Sequence, residues 1–169
     1  MSNIDLVFKN HTSQKTLGHS FFKKNLEAAA KELKLNKDFS ISVNLVGEKK
    51  IQELNKKYRN KDKPTDVLSF SMIEDSNLET RNKRQVRKSN FLNLSHITCR
   101  MSLIVDVGDI FVCLSIAKSK AKRENITIKQ KLAQLVVHGF LHLQGYEHEK
   151  SEKDAKKMFL LEKKILSNN

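Results

Sequence analysis

The sequence predicts a single α/β (α+β) layered domain of four strands and about five helices. Three observations carry that expectation. Segments whose apolar residues alternate in twos are interleaved with segments whose apolar residues recur every three to four positions, the periods of strands and helices. The length, 169 residues, fits one domain. Apolar residues make up 38% and charged residues 30%, enough for one core beneath a heavily charged surface. No run approaches the roughly 20 apolar residues of a membrane span. The opening MSNIDLVFKN lacks the charged, apolar and small-residue order of a secretory signal. The expectation is a soluble, cytoplasmic protein.

Taken in order, Ile4 to Phe8 alternates as a first strand. Phe22, Leu26, Ala29, Ala30 and Leu33 form the stripe of an amphipathic helix. Phe39, Ile41, Val43 and Leu45 alternate with Ser40, Ser42 and Asn44, which predicts a strand packed on one face and wet on the other. Gly47 opens a short helix with Ile51, Leu54 and Tyr58 inward, and this helix must end before Pro64, the only proline. KDKPTD is a turn, and Asp66 to Phe70 is a third strand. From about Glu74 to Leu103 the periodicity fails, and Thr80 to Lys88 packs five positive charges into nine residues, read as a mobile basic insertion. The apolar run Ile110 to Leu114 predicts a strand buried on both faces. Ser115 to Glu124 is a short basic helix. Thr127 caps a long apolar helix that Gly145 stops. Ser151-Glu152-Lys153-Asp154 has the capping-box pattern, ahead of a stripe of Ala155, Met158, Phe159, Leu161, Ile165 and Leu166.

The two cysteines, Cys99 and Cys113, have no close metal-ligand spacing and read as small buried hydrophobes. Charge says more. Thirty-two Lys and Arg against 19 Asp and Glu leave a net +13, which concentrates polyanions, and nucleic acid is the first partner to consider.

Three of the six histidines fall in HGFLHLQGYEH, His138 to His148. His138 and His142 are four apart on the long helix, so both rings leave one face, as two imidazole ligands of a transition metal must. Gly145 lets the chain turn back so that His148 closes the triangle. His11, His19 and His96 read as ordinary structural histidines. Three protein ligands leave a position for water, whose pKa a metal lowers to near 7. The motif meets four of the five fixed positions of the zinc-peptidase pattern H-E-x-x-H-x-x-G-x-x-H, but Gly139 stands where the general-base glutamate belongs. The metal site therefore survives and the peptidase does not. Histidine nitrogens suit zinc, with nickel, copper or iron as other occupants of such a site. In YRNKDKPTDVLSF, Arg59 offers a planar fork suited to phosphate, with Lys61 and Lys63 beside it.

HGFLHLQGYEH, YRNKDKPTDVLSF and the Gly108-Asp109-Ile110 triplet together resemble, in order, the signatures of the YbeY family of bacterial rRNA-maturation endoribonucleases, and Met158 and Glu162 of the last helix also fit. The resemblance implies a short mixed sheet and one zinc ion held by His138, His142 and His148. It also implies single-strand-specific endoribonuclease activity in small-subunit rRNA maturation and ribosome quality control. By position, the functionally important arginine is Arg59, and Lys61 and Lys63 belong to the basic, RNA-binding cleft. Glu147 replaces the usual Asp, Ser71 the usual Pro, and Gln134 a histidine found in some members. On this reading the metal activates water or polarises the phosphodiester while Arg59 stabilises phosphate charge. Glu147, Asp66 and a second water remain candidates for the base, and Tyr58 and Tyr146 read as packed rings rather than base-stacking ones. The rival readings are a non-catalytic ribosome-assembly factor with a structural metal and, opposed by Gly139, a zinc metallopeptidase.

Overall fold

The computed structural model describes residues 3–14, 17–72, 104–148 and 151–167. In chain order these form β1 (Ile4–Asn10), α1 (His19–Glu32), β2 (Phe39–Val46), α2 (Glu48–Arg59), β3 (Val67–Ser71), β4 (Val105–Cys113), α3 (Leu114–Arg123), α4 (Ile128–Leu143) and α5 (Glu152–Ser167). The four strands and five helices of the sequence expectation are all present. The basic insertion read at about 74–103, with His96 and Cys99 inside it, lies outside the described residues.

The sheet has the order β1-β2-β4-β3. β1, β2 and β4 run parallel, and β3 returns antiparallel on the outer side of β4. Phe39, Ile41, Val43 and Leu45 of β2 face the main core, where Phe22 and Leu26 of α1 and Val136, Phe140 and Leu141 of α4 cover them. Met158 and Ile165 of α5 close this core from outside. On the opposite face, α2 covers a smaller cluster of Val46, Ile51, Leu68 and Cys113. β2 is consequently not wet along its whole second face. Asn44 and Val46 are buried: Val46 packs in the α2 cluster, and the Asn44 amide donates to the Ser42 hydroxyl at 3.0 Å beside the His11 ring. No helix among the described residues is long and apolar enough to cross a membrane.

Two apolar expectations are corrected. Tyr58 is 56% exposed, since α2 spans only the small cluster and its last turn overhangs it; the ring tilts against Phe70 with centroids 4.8 Å apart. Phe159 is 53% exposed because α5 packs through Met158, Leu161 and Ile165, which turns the neighbouring ring outward to stack on His148 at 5.9 Å.

Gly108 occupies a bulge. Ser40 pairs with Asp106 and Ser42 with Asp109, so β4 fits two residues, Val107 and Gly108, opposite Ile41. Its φ is +131°, and a Cβ there would stand 2.1 Å from the Phe70 carbonyl oxygen. Both obstacles are backbone and cannot rotate away. Gly108→Ala is expected to destabilise the protein by about 3 kcal/mol or more, read as a lowered urea midpoint. An unchanged midpoint would mean that the bulge relaxes.

Candidate functional site

α4 begins on a complete capping box, Thr127 with Gln130, and its later turns pack on the sheet, with Gly139 against Ile110 of β4. His138 and His142 project from that end. The helix then stops in a Schellman turn: the Gly145 N–H donates to the His142 carbonyl at 3.0 Å and the Tyr146 N–H to the Leu141 carbonyl at 3.0 Å, with Gly145 at φ +83°. This reversal is what brings His148 back beside its two predecessors.

The ring centroids of His138, His142 and His148 stand 4.7, 5.1 and 5.0 Å apart pairwise, and one nitrogen from each lies within 4.8 Å of the other two. His138 Nε2 and His142 Nε2 are 3.2 Å apart. Two nitrogens bound to one tetrahedral zinc at about 2.0–2.1 Å stand about 3.4 Å apart, so the three side chains fit a single transition-metal ion. The His138 Nδ1–H donates to Glu162 Oε2 of α5 at 3.1 Å, which leaves the Nε2 lone pair facing the cluster. Burial, followed by the neighbouring His138, holds the His142 imidazole below its ordinary pKa, with Glu147 opposing in part. The ring is therefore biased toward the neutral form that ligates. Sequence reasoning placed Glu162 in the family pattern but did not assign it to His138, 24 residues away.

A cleft of about 590 Å³ joins this cluster to the KDKPTD turn, and Arg59, Asp66, the three histidines and Glu147 all line it. Arg59 is the last residue of α2. Asn60 follows in the left-handed conformation at φ 55°, and Asn55, buried inside the helix, fastens the turn. Its Nδ2–H donates to the Lys63 carbonyl at 2.7 Å, and its own carbonyl accepts from the Lys61 N–H at 3.3 Å. Asn55 was missed, although a polar residue one turn after Ile51 on an inward face is the kind of signal that marks such an anchor. Lys61 and Lys63 themselves are exposed on this turn and do not line the cleft.

Asp66 Oδ2 accepts from Lys120 Nζ of α3 at 2.7 Å. Burial raises the Asp66 carboxyl, but the hydrogen bond and charge of Lys120, helped by the Thr65 hydroxyl, outweigh it and hold the group below the usual carboxylate range. An acid held ionised in this way is a weak proton acceptor. Its depressed value also gives the pair a pH signature. The stabilisation is present above the unfolded value of about 3.9 and is lost as pH falls through the folded one. Lys120→Met is expected to cost about 1–2 kcal/mol at neutral pH, with the gap to wild type shrinking at about pH 3 in urea titrations. A gap that stays the same at both pH values would refute the pairing.

Gly139 also lines the cleft, and a Cβ there would meet Ile110 Cγ2 at 3.0 Å. α4 thus packs closely on β4 at the one position where the peptidase pattern requires a carboxylate.

The model of the endoribonuclease YbeY family matches residues 6–169 of the chain. The chain belongs to the YbeY family. It is 34% identical over 160 residues to the endoribonuclease YbeY of Sulfurihydrogenibium sp., an alignment covering 95% of this chain and 89% of that protein. It is 38% identical over 144 residues to the Staphylococcus carnosus endoribonuclease YbeY, covering 85% and 80%. The solution structure of a Thermotoga maritima protein superposes with a TM-score of 0.57 at 30% identity, covering 95% of this chain and 86% of that one.

Proposed function

We propose that this YbeY-family chain is a metal-dependent endoribonuclease that cuts single-stranded RNA. We place its work in the cytoplasm, in small-subunit rRNA 3′-end maturation and ribosome quality control. The observation that carries the reading is the shared cleft, lined both by Arg59 and by a triad of histidines fit for one metal ion. Family membership supports the RNA substrate, and a net charge of +13 supports binding to an RNA backbone.

His138, His142 and His148 are the residues that hold the ion, and three imidazoles favour zinc. When bound, such an ion supplies a Lewis acid and lowers the pKa of water. The remaining roles fall to the chain itself. The Arg59 guanidinium gathers the non-bridging oxygens of the scissile phosphate and stabilises the charge that builds there. Glu162 orients the His138 ring. Glu147, free of any ion pair among the described residues, takes the proton from the attacking hydroxyl in preference to Asp66. Lys61 and Lys63 hold the backbone of RNA beyond the cleft.

The direct test is incubation of zinc-loaded protein with a labelled single-stranded RNA and with the same sequence in a duplex. Cleavage of the single strand alone, abolished by a chelator and restored by zinc, is the expected result. Salt-sensitive binding without any cleavage would favour the assembly-factor reading.

A further inference from the structure

Among the described residues, β3 is the terminal strand of the sheet and pairs with β4 alone. The ladder shows which backbone groups remain outside it. The Cys113 N–H donates to the Asp66 carbonyl at 2.8 Å and the Met72 N–H to the Val107 carbonyl at 3.3 Å. In an antiparallel pair, hydrogen-bonded and non-hydrogen-bonded positions alternate. Positions 66, 68, 70 and 72 therefore point into the sheet. Val67 and Ser69, opposite Val112 and Ile110, turn their N–H and C=O outward. No described residue bonds to these four groups.

The outward edge lies in the cleft. Thr65, Asp66, Val67, Leu68 and Ser69 all line it in unbroken sequence. Side chains of a strand alternate between faces, and Leu68 is buried in the α2 cluster, so only the backbone edge can bring consecutive residues to one cavity. The same cavity holds Arg59 and the histidine triad.

We infer that the free edge of β3, through the N–H and C=O of Val67 and Ser69, hydrogen-bonds the Watson–Crick edge of an unpaired base next to the scissile phosphate. This rests on the endoribonuclease reading and deepens it. Each outward residue presents a donor and an acceptor side by side, and the two residues are spaced about 6.8 Å apart, two strand steps. Every nucleobase carries adjacent donor and acceptor groups on that edge, so the contact tolerates any sequence. In a duplex the edge is already occupied by the partner base. Strand selectivity then arises from hydrogen bonds left unmade, and not from steric exclusion. RNA is preferred over an extended peptide as the occupant because Arg59 lines the same cleft and the chain carries +13.

The test combines one variant with one modified substrate. Ser69→Pro deletes the outward N–H while removing no ladder bond, the arrangement in which an edge strand accepts proline. The RNA is a single-stranded oligonucleotide carrying, in turn, N3-methyluridine or N1-methyladenosine on either side of the cleavage site. Methylation is expected to slow wild-type cleavage about five- to tenfold. Ser69→Pro should cut unmodified RNA slower by a similar factor, narrow the preference for single strands over duplex, and be indifferent to the methyl group. The modified RNA acting on wild-type protein keeps the test intact should the proline variant fail to fold.

Wild-type cleavage that ignores both methylations overturns the inference, as does a folded Ser69→Pro protein with wild-type rate and selectivity. Competition by an extended peptide, lost in Ser69→Pro, would assign the edge to peptide and overturn it as well. Absence of any RNA cleavage by wild type would instead sink the endoribonuclease reading itself.

Discussion

Arg59→Ala is expected to lower the rate of single-stranded RNA cleavage by about 10²–10³-fold while leaving metal content and melting temperature unchanged. The side chain is exposed at the end of α2, and the bonds that hold the turn belong to Asn55, Gln52 and Lys56 instead. Its removal therefore touches stability little, as for most surface substitutions. What it removes is a planar, permanently charged fork in the cleft that the histidine cluster also lines. Charge on the phosphate oxygens grows toward the transition state, so the loss falls on turnover more than on RNA affinity. Arg59→Lys keeps the charge without the fork and should recover only part of the rate. Equal cleavage by Arg59→Ala and wild type, purified in parallel and carrying equal metal, would remove Arg59 from the mechanism.

His142→Ala is expected to abolish both tight metal binding and cleavage. The variant keeps two of three ligands and opens the half-buried end of α4 to water. Metal stoichiometry should fall from about one ion per chain to near zero after dialysis. The rise in melting temperature on adding zinc to wild type should vanish in the variant, because a ligand stabilises only the state that binds it. Glu162→Gln makes a graded companion. It keeps all three histidines but weakens the acceptor for His138 Nδ1–H, and it should weaken metal affinity about 10- to 100-fold without abolishing it. Retention of a full metal complement by His142→Ala would show that the ion sits elsewhere.

The two predictions draw on different ranges of information in the chain. The histidine cluster was legible because its parts are local. Two histidines four residues apart on a helix must share a face, and a glycine just past the helix end permits the left-handed reversal that returns the third. The strands and helices were legible for the same reason, since their apolar periods read out over a few residues. Tyr58 and Phe159 misled because periodicity identifies an apolar face but not how far the neighbouring layer extends beneath it.

By itself, then, the sequence determined the element order, the capped helix ends, the histidine triad with its turning glycine, and the family pattern that names the chemistry. Tertiary structure alone decided that Arg59 and the triad line one cleft, that Glu162 meets His138, that Gly108 is pressed against the Phe70 carbonyl, and that β3 is the outermost strand among the described residues. Each of these joins residues from different elements. Such meetings depend on strand order and on which helix covers which face, and those are set by the packing of the whole core rather than by any local run of residues.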